Sequence, residues 1–119
     1  MIKGIGIDIV DIRRIKRAKE RFGDRFYERL FTEEELRYSL KKRRPEVHLA
    51  ARFAAKEAFF KAIGIKAGIK RFRDVSVSRG PLGAPSLNVK GLDHSNIVHI
   101  SISHDGDYSV AKGIVEEAG

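Results

Sequence analysis

The chain predicts an α+β fold in which a mainly antiparallel sheet packs against one long central helix. Two changes of pattern carry this expectation. Between residues 11 and 63 the signals are helical caps and alanine-rich periodicity, whereas from residue 74 onward short β-prone runs alternate with RGPLGAP, GLDHSN and HDGD, all turn-forming compositions. Runs this short and closely spaced cannot be joined by crossover helices, so neighbouring strands should be antiparallel. A length of 119 residues fits a single domain over 1–119.

The first element is a strand, Ile2 to Val10, rich in isoleucine and expected to have both faces at least partly covered. Alternation puts Asp8 on one face with Gly4, Gly6 and Val10, and the glycines leave room there for a ligand or another backbone. Asp11 is placed to cap a helix running to Phe22, with Gly23 as its stop. Thr32 and Glu35 form a capping-box pattern for a helix from Glu33 to about Lys42. Pro45 marks the next start, and the central helix spans Glu46 to Ile63, ending at Gly64. At 100° per residue, Leu49, Phe60, Phe53, Glu57, Ala50, Lys61 and Ala54 cross one face, with Phe59 and Ile63 opposite. Only Arg52 and Lys56 interrupt an apolar surface that runs nearly all round, as expected of a helix that is buried or used in an oligomer contact. A loop containing Gly64 and Gly68 leads to strands at Asp74–Ser78, Pro85–Val89, Val98–Ser103 and Tyr108–Val115.

Composition narrows the function. A 42% hydrophobic content supports a packed core, and the 34% charged content is mixed in sign, so it describes a solvated surface rather than disorder. The absence of cysteine removes disulfides and thiolate metal sites and suits a cytoplasmic protein, leaving oxygen or imidazole for any metal. The opening MIKGIGIDIV is neither a secretion signal nor a membrane span. A net charge of +8 calls for an acidic partner, and the basic residues concentrate between Arg13 and Arg29 and again at Lys41–Arg44.

Asp8 and Glu57 are carboxylates set among isoleucines and phenylalanines, where each needs a compensating charge. An ion pair with Arg or Lys would supply it. So would Mg2+, which takes one or two carboxylates, several waters and the oxygens of a phosphate ligand. Lys61 lies one turn after Glu57, where an ammonium group can meet a phosphate or close an (i, i+4) salt bridge, and its apolar neighbours argue against exposure. Ser101, Ser103, His104 and Asp105 end a strand. The serines alternate onto one face, suited to a phosphate or the waters of a metal. Adjacent residues on a strand end cannot align as a Ser-His-Asp triad, which excludes nucleophilic serine catalysis. His48, His94 and His99 have no metal-site spacing.

Taken together, GIDIVDIRRI at residues 6–15, FAAKEAFFKA at 53–62 and SISHDGDYSVA at 101–111 resemble, in order and separation, the three signature segments of the holo-acyl-carrier-protein synthases, a family of 4'-phosphopantetheinyl transferases. The resemblance implies transfer of 4'-phosphopantetheine from coenzyme A to a serine of an apo-acyl carrier protein, releasing adenosine 3',5'-bisphosphate, in support of fatty acid biosynthesis. It implies Asp8 and Glu57 as Mg2+ ligands, Lys61 beside the leaving phosphate, and Ser103 and His104 beside the coenzyme A phosphates. The general base is then Glu57 or, by preference, a metal-bound water relayed through Asp8. A phosphopantetheinyl transferase-like trimer is implied, with active sites between subunits, and the basic run gains an acidic carrier protein, with Arg14, Arg21 and Arg25 as the contacts.

Two alternatives fit the sequence less well. A nucleic-acid-binding domain would place aromatics for base stacking among its basic residues, which this chain lacks, and would leave Asp8 and Glu57 unexplained. Related transferases for secondary-metabolite carriers are about twice this length, as fused pseudo-dimers. Neither nucleic acid nor membrane is expected as a partner.

Overall fold

A computed structural model describes residues 1–64, 68–69 and 71–118, so residues 65–67 of the expected Gly64–Gly68 loop lie outside the described residues. Strand β1 (Ile2–Asp11) leads into helices α1 (Ile12–Phe22), α2 (Asp24–Leu30), α3 (Glu33–Ser39) and α4 (Pro45–Ile63). A 3-10 turn (Phe72–Asp74) follows, then β2 (Val75–Arg79), β3 (Pro85–Val89), β4 (Asn96–Asp105) and β5 (Tyr108–Glu117). The strands form two sheets rather than one: β1-β5-β4, and a hairpin of β2 with β3, every pairing antiparallel. The fold is α+β.

Local chemistry explains most boundaries. The Asp11 carboxylate accepts the Arg13 N–H and starts α1, while Gly23, at φ 73°, stops it by donating its N–H to the Lys19 carbonyl. The capping box of Thr32 and Glu35 is formed in both directions. Helix α3 nonetheless ends at Ser39, short of Lys42, because Pro45 opens α4 and requires an extended residue before it; Arg44 sits at φ −126°, ψ 82°. Helix α2 has no side-chain cap and begins directly at Gly23, which is why no local signal marks it.

Helix α4 supplies both parts of the core. Leu49, Ala50, Ala54, Ala55 and Ala58 join Val10, Ile12, Ile15, Tyr27, Phe31, Val77 and Ala111, and Phe59, Ala62 and Ile63 join Ile69, Val75 and Val115. The sheet lies directly on the helix backbone. A methyl group on Gly4 would overlap the Ala62 carbonyl oxygen, and one on Gly6 that of Ala58. Gly113, the β5 partner of Gly6, sits over the same Ala58, where an added Cβ would come within 3.3 Å of its carbonyl. The space left by Gly4 and Gly6 is therefore filled by the backbone of α4.

One burial expectation is corrected. Only the glycine face of β1 is covered, while Ile5, Ile7 and Ile9 on the other face are 57%, 60% and 64% exposed. Arg52 and Lys56, the two polar interruptions of α4, are themselves buried, at 3% and 0% exposure, because the helix is enclosed on that side by α3 and the β2–β3 hairpin.

Gly6→Ala should lower stability by about 1–3 kcal/mol through overpacking against backbone that cannot yield. Urea denaturation checks this, and an unchanged midpoint would show that β1 does not rest on α4 this closely.

Candidate active site

Asp8 projects from β1 on the face turned to α4, and Glu57 rises from α4 one residue before Ala58. Both line a cavity of about 370 Å³ whose walls include Val10, Arg14, Ile15, Phe26, Leu30 and Phe53. The sequence-predicted pair therefore meets, and Arg14, expected at the carrier surface, opens onto the same cavity.

The charges are arranged differently from the simplest reading of the spacing. Lys61 does not close an (i, i+4) bridge to Glu57. Its Nζ donates to Asp8 Oδ1 at 3.1 Å and to the Ile7 carbonyl at 3.0 Å, drawn across because β1 passes over this turn of α4. It is also half-exposed, its side chain 52% accessible against 15% for Asp8, because its ammonium sits at the open edge of the pair. Glu57 is left without an ion-pair or hydrogen-bond partner among the described residues. Burial first, and then the negative charge of Asp8, raise its carboxyl pKa, with Lys61 opposing.

This donor set fits a hard divalent cation. Two carboxylate groups face one cavity, one of them uncompensated and the other held by a half-exposed ammonium, and a cation would relieve their mutual repulsion. Among the described residues there is no group of three or more potential metal-ligating side chains, so the remaining positions would fall to water and to ligand oxygens.

Ser103 and His104 are not brought to this cavity within one chain. Registry pairs Asp8 with Ala111 and Ile102 on the helix-facing side, whereas Ser103 aligns with Val110 and Ile9, and Ser101 with Lys112 and Ile7, on the open side. Ser103 and His104 instead line a shallow cavity of about 260 Å³ with Ile9, Asp105, Tyr108 and Val110. Arg21 lies over the exposed Phe22 ring, and Arg25 lines an adjoining groove with Phe22, Phe26 and Arg29. Phe26 lines both this groove and the Asp8–Glu57 cavity and stands between them.

Sequence reasoning missed a second cationic cluster. Lys42 and Arg52 both lie 4.5 Å from the centroid of the Tyr38 ring, His48 packs edge-on against that ring, and Arg52 Nη1 donates to the His48 carbonyl. Arg52 Nε is buried and has no hydrogen-bond partner among the described residues. The local hints were the basic run Lys41–Arg44 and the i, i+4 spacing of His48 and Arg52; Tyr38 joins through tertiary packing.

The chain belongs to the 4'-phosphopantetheinyl transferase superfamily, whose family model matches residues 4–112. It is similar to the holo-[acyl-carrier-protein] synthase of Oceanobacillus iheyensis, 43% identical over 118 residues covering 98% of each chain. The crystal structure of the holo-[acyl-carrier-protein] synthase from Neisseria meningitidis superposes with a TM-score of 0.86 at 36% identity, over 98% of this chain and 100% of that one. That of the Bacillus anthracis enzyme, in complex with CoA (3',5'-ADP), gives 0.81 at 37% identity, over 100% and 99%.

The basic cluster carries a pH signature. Burial, followed by the positive charges of Arg52, Lys42, Arg79 and His104, lowers the pKa of His48. The unfolded chain, with a histidine pKa of about 6.5, therefore takes up this proton first as pH falls. Stability contributed by neutral His48 is complete above about pH 6.5 and is lost below it, toward the lower native pKa. Urea midpoints should fall between pH 7.5 and 5.5, and His48→Gln should flatten part of that slope. An unaltered slope would show that His48 is not held neutral.

Proposed function

We propose that residues 1–119 form a single-domain, magnesium-dependent holo-[acyl-carrier-protein] synthase that works in the cytoplasm as a homotrimer. The chain transfers 4'-phosphopantetheine from coenzyme A to a serine of apo-acyl carrier protein, supplying holo-carrier for fatty acid biosynthesis. The observation that carries the site assignment is the cavity shared by Asp8, Glu57 and Arg14, with Glu57 uncompensated.

In the reaction the serine oxygen bonds to the phosphorus that bears pantetheine, the bond from that phosphorus to the bridging pyrophosphate oxygen breaks, and adenosine 3',5'-bisphosphate departs. Asp8 and Glu57 would hold Mg2+, which when bound supplies charge neutralisation at the pyrophosphate. The serine proton leaves toward the two carboxylates. Lys61, at the open edge of the pair, donates to the departing phosphate oxygens. The Lys42–Arg52–His48 cluster offers a further anion seat for the nucleotide phosphates.

Trimer formation is supported by the exposed Ile5, Ile7 and Ile9 face and by the position of Ser103 on that same face. Packing this surface against a second copy would bring Ser103 and His104 to a neighbour's coenzyme A phosphates, a contact that one chain alone does not make. The acidic carrier would dock on Arg14, Arg21 and Arg25, with its serine reaching the Asp8–Glu57 cavity past Phe26, which lines both.

Intact-mass analysis of apo-carrier incubated with coenzyme A, Mg2+ and this protein should show the phosphopantetheine increment, abolished by EDTA. Asp8→Ala and Glu57→Ala should each lower the rate at least about 100-fold, and full transfer by both variants would rule out the metal assignment. Lys61→Ala should lower kcat by roughly 100-fold with little change in coenzyme A affinity. Equal losses in both would assign Lys61 to substrate anchoring alone.

A further inference from the structure

Lys56 stands one residue before Glu57 and is completely buried. Its three N–H bonds are all used, to Glu35 Oε1 at 2.6 Å, to the Leu30 carbonyl at 2.7 Å and to the Phe72 carbonyl at 3.0 Å. Glu35 is equally occupied, accepting from the backbone N–H groups of Thr32 and Val77. Cohesion alone does not call for such a pair, since apolar residues of similar volume usually serve a core as well or better.

What distinguishes Lys56 is the identity of the groups it holds. Leu30 lines the Asp8–Glu57 cavity together with Phe26, one turn earlier on α2. The Phe72 ring stacks on Phe53 of the same cavity, with centroids 5.4 Å apart and planes 13° from parallel. Both acceptor carbonyls thus belong to residues that form or support the apolar wall of the cavity that Glu57 also lines. Helix α2, held at its end by Lys56, also carries Arg25 of the adjoining groove.

We infer that Lys56 is a positioning residue for the transfer: by pinning Leu30 and Phe72 it fixes the Phe26–Leu30–Phe53 wall that seats the carrier's serine segment beside Glu57. This rests on the transferase reading above. Removing the pin should therefore impair use of the carrier while leaving coenzyme A binding intact, because misplacing reacting groups by a fraction of an ångström lowers turnover without loss of affinity elsewhere.

The test is a charge-free replacement, Glu35→Gln with Lys56→Met, which leaves no lone buried charge. Val115→Ala, a core change on β5 away from the cavity, is the control for lost stability. The double variant should bind coenzyme A within twofold of wild type, lose about tenfold or more in kcat, show a raised KM for the carrier, and exchange the Phe31 amide hydrogen faster. Val115→Ala should lower Tm without moving these constants. Phe72→Leu, which keeps the carbonyl held by Lys56 but removes the ring stacked on Phe53, should reproduce part of the kcat loss. A double variant within twofold of wild type in kcat and carrier KM, a loss matched by Val115→Ala at equal decrease in Tm, or an unaltered kcat in Phe72→Leu would each overturn the inference. Failure of the transferase reading is recognised separately, as absence of transfer by the wild-type protein.

Discussion

The cross-strand pair Gly6 and Gly113 resting on Ala58 is the contact on which the rest of the molecule depends. With no Cβ on either strand and a methyl group on the helix, backbone meets backbone, and the sheet lies closer to α4 than larger side chains would permit. Two residues beyond Gly6 comes Asp8, and one residue before Ala58 comes Glu57. The close approach that makes the core is thus also what carries a strand carboxylate and a helix carboxylate to one cavity. It also explains Lys61, whose Cβ lies near Gly6 and whose ammonium is drawn to β1 rather than back along its own helix.

Three carboxylates on or against α4 are in three different states. Glu35 is paired with Lys56 in complete burial, with every donor and acceptor occupied, and such a pair is costly to break. Asp8 is paired with a half-exposed Lys61, a contact of small net value that can be exchanged. Glu57 has no partner among the described residues, and its proton affinity is raised by burial and by Asp8. The first state fixes the wall around the cavity, and the other two leave negative charge available inside it. Structural and reactive electrostatics are separated by a single residue, Lys56 against Glu57, because successive helical positions point about 100° apart.

Local pattern showed much of this and hid a definite remainder. Alternation in β1 already put Asp8 on the glycine face, and the caps at Asp11, Thr32 and Gly64 were readable because capping is chemistry between near neighbours. Helix α2 was not readable, since it has no cap of its own and depends on Tyr27 packing into the core and on Lys56 at its end. The partners of Lys56 and Lys61 lie 21 and 53 residues away, and spacing along one helix cannot choose between such partners and an (i, i+4) neighbour. Ser103 was readable as one of a pair of serines on a single face, but which face that is follows only from the β4–β5 register.

The proposed two-carboxylate cation site depends on the glycine-mediated approach of β1 to α4. Anomalous diffraction from crystals grown with Mn2+ and coenzyme A tests it most directly. A manganese peak is expected between the Asp8 and Glu57 carboxylates, with Lys61 turned from Asp8 toward the phosphates. Coenzyme A bound with no manganese at those carboxylates, or with Lys61 still paired to Asp8, would contradict it.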